Sequence, residues 1–218
     1  VFSEDVNRGK LCEQFGTTSL KGFGIEQMHE GVSAAGAVLH YLEYTEHRDT
    51  SHIASISRID REEYVWIDKF SIRNLELFSS NSGRERSGFV DVIDRTLSPM
   101  GSRMLKRWVA MPLLSVERIN RRLDVVEHFV KNCAEADDMR DQISSVGDVE
   151  RIGSRIAARR ALPREIVQLR NALDAIAQLR EQLQSSGNAQ LAQLAESIDT
   201  MAEVRERIAT QVYPDPQN

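Results

Sequence analysis

Apolar residues recur along most of this chain at spacings of three and four, the period of a helix with one face buried. A first short helix is predicted over Asp5 to Phe15, followed by the glycine-rich stretch Gly22-Phe23-Gly24. Ser33 can cap a helix from Ala34 to about His47, with Ala37, Val38, Tyr41 and Leu42 at core-facing positions. The period then changes. Ile53 to Ile59 alternates apolar and polar residues, Tyr64 to Phe70 is aromatic and β-branched, and Asp60-Arg61-Glu62-Glu63 between them predicts a β-hairpin. Asn81-Ser82-Gly83 breaks the chain and Ser87 opens a short helix through Phe89, Val92 and Ile93.

Helices follow one another from there. Ser98-Pro99 joins a hydroxyl cap to a proline at the first helical position, and that helix carries Met104, Leu105 and Trp108 before Pro112 stops it. Ser115 caps the next, with Ile119, Leu123, Val126 and Val130 as its core stripe. A weaker helix near 134–143 precedes one from Asp148 to Ala161. Pro163 then opens a segment with Ile166, Leu169, Leu173, Ile176 and Leu183 on one stripe. Ser185-Ser186-Gly187-Asn188 turns the chain into Leu191, Leu194, Ile198, Met201, Arg205 and Ile208. These two segments predict an antiparallel helical hairpin, a stiff strut of ~36 Å if each limb holds about 24 residues. The fold class is therefore mainly α with a small β-hairpin element.

Composition supports that division. Of the 13 aromatic residues only Trp108, Phe129 and Tyr213 lie beyond residue 100. The chain has 218 residues and a net charge of -5, which argues against a generic polyanion binder. No apolar run reaches the ~20 residues of a membrane span, and no basic-then-apolar leader follows Val1. Cys12 and Cys133 stand outside any C-x-x-C pair and are expected to be reduced, buried thiols of a cytoplasmic protein. The start at Val1 and the stop at Tyr213-Pro214-Asp215-Pro216 are those expected of a piece of a longer protein.

Catalytic chemistry is sparse. No G-x-x-x-x-G-K-[ST] is present, and Gly22-x-Gly24 lacks both a third glycine and a preceding buried strand. The five histidines never pair at ligand spacing. Neither a catalytic residue nor a cofactor or metal site is expected within the chain. Arg151, Arg155 and Arg159 recur every four residues and could form a phosphate-gripping basic stripe. The competing reading, which the acidic balance favours, is an arginine ladder packed against Asp137, Asp138, Asp141, Asp148 and Glu150. A second basic cluster, Arg118, Arg121 and Arg122, has Glu117, Asp124 and Glu127 beside it and reads as a solvated face.

Two motifs are too specific for generic packing. In the first, Asp68 is followed by Asn74-Leu75-Glu76-Leu77, polar groups placed to fix a strand-to-helix turn. The second runs from Ser98 to Trp108, and its Gly101 and Arg103 fall in the first turns of a helix. Glycine there suggests close approach of another backbone. Asp68, Asn74, Glu76, Gly101 and Arg103 are thus candidates for a structural joint.

At these residues the chain resembles the MutS family of DNA mismatch-repair proteins, the bacterial form in particular. The resemblance runs through Phe15-Gly16, Gly22-Phe23-Gly24-Ile25, Ala34 to Leu42, Asp68 with Arg73-Asn74-Leu75-Glu76-Leu77, and Pro99 to Trp108. It continues through Pro112-Leu113, Ile119-x-x-Arg122-Leu123 and Val146 to Ile152. It implies that residues 1–30 are the C-terminal end of a connector domain with a short α/β remnant. It implies that 31–218 are the first part of a helical core, or lever, domain, ending where a clamp domain would be inserted. On that reading ATP and Mg belong to the full-length parent, a DNA-dependent ATPase. The parent's partners are mismatched double-stranded DNA, gripped by domains outside this chain, a second MutS subunit and a downstream mismatch-repair factor. Phe2-Ser3-Glu4 matches the family's mismatch-wedging Phe-x-Glu but sits at the wrong end of the connector. A nucleic-acid-binding helical module and the scaffold of a paralogue with another task are the rival readings. Without the second half of the core, the apolar faces of the 163–212 hairpin are expected to pack against another copy.

Overall fold

The computed structural model describes residues 3–45, 50–59, 61–79 and 88–213. The expected chain break at 81–83, the Ser87 cap, the end of the second helix near His47, Phe2 and Pro214 to Pro216 lie outside them. The chain forms two compact units, Val1–Asp60 with Ser154–Arg160, and Arg61–Gly153 with Ala161–Asn218.

In the first unit, helix α1 (Glu4–Gln14) packs along α2 (His29–Tyr44). Leu11, Leu20, Ile25, Val32 and Leu39 form its core, and Phe15 meets Phe23 at 5.1 Å between ring centres. Gly24, at φ 68°, ends the turn that carries Phe23, a left-handed position that glycine adopts without a steric penalty. Asn7 is fully buried at the helix crossing and donates its side-chain amide to the Ser33 carbonyl at 3.1 Å.

Ser33 is therefore not the cap of α2, which starts a turn earlier. The buried stripe is Val32, Gly36 and Leu39, whereas Val38 and Tyr41 are 58% and 66% exposed. The close crossing at Gly36 and Asn7 rotates the helix away from the register that the larger side chains suggest.

The expected β-hairpin is not formed, and no strand occurs among the described residues. Gln14 donates to the carbonyls of Thr50 and Ile53 at 2.7 and 3.0 Å, and Ile53 and Ile56 pack on the core of the first unit. Ile53 and Ile56 thus turn to the helices, while Ile59 is exposed. Residues 63–65 pair elsewhere: Val65 N donates to Pro112 O at 2.7 Å and Leu114 N to Glu63 O at 3.0 Å, around a single antiparallel bridge between Tyr64 and Leu113. Lys69 and Phe70, expected in the strand, already belong to a helix.

The second unit is helical: α3 (Lys69–Asn74), α4 (Phe89–Ile93), α5 (Pro99–Ala110), α6 (Val116–Lys131), α7 (Cys133–Val146), α8 (Val149–Ala157), α9 (Pro163–Ser185), α10 (Ala189–Glu196) and α11 (Ala202–Gln211). The last residues of α8 belong to the first unit. The signals at Ser98-Pro99 and Ser115 act as expected, each hydroxyl accepting an amide of its helix's first turn. α9, 23 residues and so ~34 Å long, is the central strut, contacted by α7, α10 and α11. Met139, Leu183, Leu191 and Ala195 form one core beside it, and Val146, Ala172 and Ala175 another.

Three expectations change here. The limb after Gly187 is two helices, because Asp199 Oδ1 accepts from Met201 N at 2.8 Å and Met201 takes the left-handed conformation at φ 45°. That local side-chain turn competes with helix continuation. On α6 the inward residues are Val125 and Phe129, while Leu123, Val126 and Val130 are exposed. Both stripes keep helical spacing, and the one holding the large Phe129 ring packs half-buried against the Met139 core. Cys133, expected buried, is exposed, while Cys12 is half-buried; both are free thiols.

Candidate functional site

The second unit holds a succession of side-chain hydrogen bonds at its helix ends. Asp68 caps α3: its Oδ1 accepts from the amides of Phe70 and Ser71 at 2.8 and 3.0 Å, and its Oδ2 from the Ser71 hydroxyl at 2.8 Å. Ser71's amide and hydroxyl hold the carboxyl below its ordinary range. Asn74 ends α3, and Glu76 follows at φ 50°. The carbonyls of Glu76 and Leu77 then accept from Phe89 N and Val90 N at 2.8 and 2.9 Å, tying the start of α4 to this turn. Gly88 makes that approach possible, since a Cβ there would stand 2.7 Å from the Phe78 carbonyl carbon and 2.8 Å from Ser79 N. Sequence reasoning missed Gly88; its only mark was a glycine just before an apolar helix.

Asp94 is the next node. It accepts from Thr96 Oγ1 and Ser102 Oγ, both at 2.6 Å, and from Thr96 N at 3.0 Å, joining the end of α4 to the first turns of α5. The Ser102 hydroxyl, with the two Thr96 donors, brings its carboxyl down to about 2. Gly101 donates its amide to Ser98 Oγ at 3.1 Å, and a Cβ there would lie 3.2 Å from Ser98 Oγ and Thr96 Cβ. The close approach inferred at Gly101 is thus to side chains and not to another backbone. Because Asp94 has a depressed folded-state pKa, its contribution to stability is complete above the ordinary value of 3.8 and fades as pH falls toward 2. Ser102→Ala is expected to raise the Asp94 pKa toward 3.8 and to move acid unfolding to higher pH. A carbon-detected NMR titration checks this, and an unmoved Asp94 would refute the Ser102 assignment.

Arg103 reaches 45 and 47 positions along the sequence. Its Nη1 and Nη2 donate to the two Asp148 oxygens at 3.0 and 2.6 Å, and its Nε and Nη2 to Glu150 Oε2 at 3.0 and 2.5 Å. The planar guanidinium matches both carboxylates at once, which a lysine ammonium cannot do. The fork ties α5 to the start of α8 and pushes the Asp148 carboxyl down. Nearby, Arg118 pairs with Glu63 at 3.0 Å and Arg122 lies 3.6 Å above the Trp108 ring, so the 118–122 cluster is partly structural.

Of the five joint candidates, Asp68, Gly101 and Arg103 make the side-chain caps, close contacts and forks just described, and Glu76 contributes its carbonyl. The basic stripe takes another form. Arg151 and Arg155 lie on α8, but α8 ends at Ala157, and Arg159 sits in the following turn at φ 55°. Arg155 donates to the Arg160 carbonyl at 2.9 Å, and Asp148 accepts from the Arg151 amide at 3.3 Å. Three residues on one helical face are therefore not presented.

The cleft beside the Asp94 node is lined by Asp91, Asp94, Thr96, Ser98, Ser102 and Lys106 among others. Among the described residues no group of three His, Cys, Asp or Glu side chains could hold a metal ion, and no helix is long and apolar enough to cross a membrane.

Comparison with known proteins places this geometry. The family model for MutS domain II matches residues 2–54 and that for MutS domain III matches residues 71–218. The DNA mismatch repair protein MutS of Bacteroides fragilis is 43% identical over 217 residues, 99% of this chain and 25% of the relative. That of Cytophaga hutchinsonii is 45% identical over 183 residues, covering 84% and 21%. That of Christiangramia forsetii is 47% identical over 181 residues, covering 83% and 21%. The chain thus spans a quarter or less of the length of these relatives. With one domain model matching well over half of its residues, the chain belongs to the MutS family.

Proposed function

We propose that this chain is the segment of a mismatch-recognition ATPase that mechanically links the ATP-binding end of the parent to its DNA-gripping end. It holds the end of a connector domain and the first part of a core domain and carries no reacting group. The parent binds ATP, Mg, mismatched DNA, a second subunit and a downstream repair factor through other parts. The observation that carries the reading is the Arg103 fork onto Asp148 and Glu150. With the backbone bonds from Phe89 and Val90 to Glu76 and Leu77 and the Asp94 node, it makes α3, α4, α5 and the start of α8 a jointed series, the last two links of which are charge-assisted. Such joints transmit displacement and can take a second arrangement when one bond changes, which coupling between two sites requires.

The test uses the longer protein that carries this segment. Arg103→Ala is expected to leave DNA and nucleotide affinities near normal and to slow ATP-triggered release from a mismatch by 5-fold or more, the low end of a coupling energy of about 1–3 kcal/mol. Arg103→Lys, which keeps the charge and loses the fork, should fall between. Gly101→Val, which crowds Thr96 and Ser98, should act in the same direction. Stopped-flow dissociation of a labelled mismatched duplex gives the answer. Normal release in Arg103→Ala and Gly101→Val would refute the role of the joints.

A further inference from the structure

Helices α1, α3 and α8 end in the same pair of backbone hydrogen bonds. After α1, Thr17 N donates to Cys12 O at 2.9 Å and Gly16 N to Glu13 O at 3.2 Å. After α3, Leu77 N donates to Ile72 O at 3.1 Å and Glu76 N to Arg73 O at 3.0 Å. After α8, Arg160 N donates to Arg155 O at 2.8 Å and Arg159 N to Ile156 O at 2.9 Å. This nested pair needs a left-handed residue, a place that suits glycine because a Cβ there crowds the following carbonyl oxygen. α1 supplies Gly16 at φ 60°, but α3 supplies Glu76 at φ 50° and α8 supplies Arg159 at φ 55°. Such strain persists only where the surroundings hold it. At Glu76 backbone does so, since the carbonyls of Glu76 and Leu77 accept from Phe89 N and Val90 N. At Arg159 a side chain acts as the brace: Arg155 Nη2 donates to the Arg160 carbonyl at 2.9 Å.

A side-chain brace can let go and rebind, and the backbone loses nothing when it does. If α8 continues, Arg159 N passes from Ile156 O to Arg155 O and Arg160 N from Arg155 O to Ile156 O, so two bonds are exchanged for two. The left-handed strain is relieved at the same time. Pro163 keeps Leu162 extended at ψ 153°, which stops the continuation short of it, and Ala161, in neither helix, takes up the change of direction. In the continued helix Arg151, Arg155 and Arg159 stand four apart on one face, with the Arg155 head freed from the Arg160 carbonyl. Like charges at that spacing repel, and with the brace this keeps the turned form the major one. We propose that the end of α8 is a two-position switch: turned at Arg159 it dismantles a cationic face, and wound by one further turn it assembles that face.

NMR relaxation dispersion on the 218-residue chain reads both positions, because exchange of this kind falls in the microsecond-to-millisecond range. Arg159 and Arg160 should show exchange with a minor state whose backbone carbon shifts are helical. Two variants should move its population in opposite directions. Arg155→Ala removes the brace and is expected to raise the helical population about fivefold. Arg159→Gly removes the strain and weakens the helix as well, and is expected to lower that population by about tenfold or more. Both residues are outside the buried cores, so the amide spectrum away from 154–162 should be unchanged. Left-handed shifts at Arg159 without exchange in Arg155→Ala overturn the proposal. A minor state with coil shifts shows a fraying end and overturns it too, as does a helical minor state whose population Arg159→Gly leaves unchanged.

Discussion

Replacing Gly36 by valine is expected to unfold the first unit selectively, at a cost of about 3 kcal/mol or more. A Cβ at residue 36 would lie 2.3 Å from Asn7 Cβ and 2.6 Å from both Asn7 Cγ and Oδ1. Asn7 cannot swing away, because it is fully buried and its amide is committed to the Ser33 carbonyl. Separating α1 from α2 would instead open the core of Leu11, Val32 and Leu39. Even alanine at residue 36 meets the same Cβ contact. Both tryptophans, Trp66 and Trp108, lie in the second unit, so their fluorescence in urea follows that unit, while amide exchange in α1 and α2 follows the first. The expected result is a loss of protection in α1 and α2 of about 100-fold or more, since each 1.4 kcal/mol is a factor of ten. The tryptophan transition should hold its midpoint. Pairing Gly36→Ala with Asn7→Gly removes the clashing atoms and should restore part of the loss. Full protection in Gly36→Val would show that the crossing is looser than the distances say.

What could be read beforehand depended on how local the cause was. Ser98-Pro99, Ser115 and Pro163 set their helices with bonds to residues at most four positions away, and those starts appear where expected. Asp68 is similar: its partners Phe70 and Ser71 are its neighbours. The register of α6 was ambiguous because Val125 beside Val126, and Phe129 beside Val130, put two apolar stripes one residue apart. Only the packing against Met139, Leu183 and Leu191 chooses between them. The hairpin failed for the same kind of reason. Alternation in 53–59 is a strand pattern, but two isoleucines three residues apart also satisfy a helical surface, and Gln14 pins that segment to α1.

Of the joint itself, the residues were legible and the bonds were not. Arg103 stood out as part of a motif, whereas Asp148 and Glu150 were assigned to the arginines immediately after them. The fold gives both carboxylates to a guanidinium 45 and 47 positions away. A charge ladder on one helix and a fork between two helices look alike until the helices are placed. The same limit explains why attention fell on Gly101, inside a strong motif, and passed over Gly88, whose importance lies in the backbone that comes to meet it.

That contrast yields the second large effect. Gly88→Ala is expected to destabilise the second unit by about 2 kcal/mol, and Gly88→Val by more, because the new Cβ would stand 2.7 and 2.8 Å from the backbone of Phe78 and Ser79. Backbone cannot rotate aside as a side chain does, so the turn must open. The hydrogen bonds from Phe89 N and Val90 N to the carbonyls of Glu76 and Leu77 are then lost with it. Gly101→Ala meets side-chain atoms, Ser98 Oγ and Thr96 Cβ at 3.2 Å and Thr96 Cγ2 at 3.5 Å, and gains up to about 1 kcal/mol of helix propensity in return. It should therefore be nearly neutral. Urea unfolding followed by tryptophan fluorescence separates the two, as Trp66 and Trp108 both lie in the affected unit. If Gly88→Ala proves as mild as Gly101→Ala, the union of α3 and α4 is not made by this backbone contact. If the ranking holds, the element that fixes α4 in the jointed series is a glycine with no chemistry of its own. Its variants should then disturb ATP-triggered release in the longer protein as strongly as the loss of Arg103.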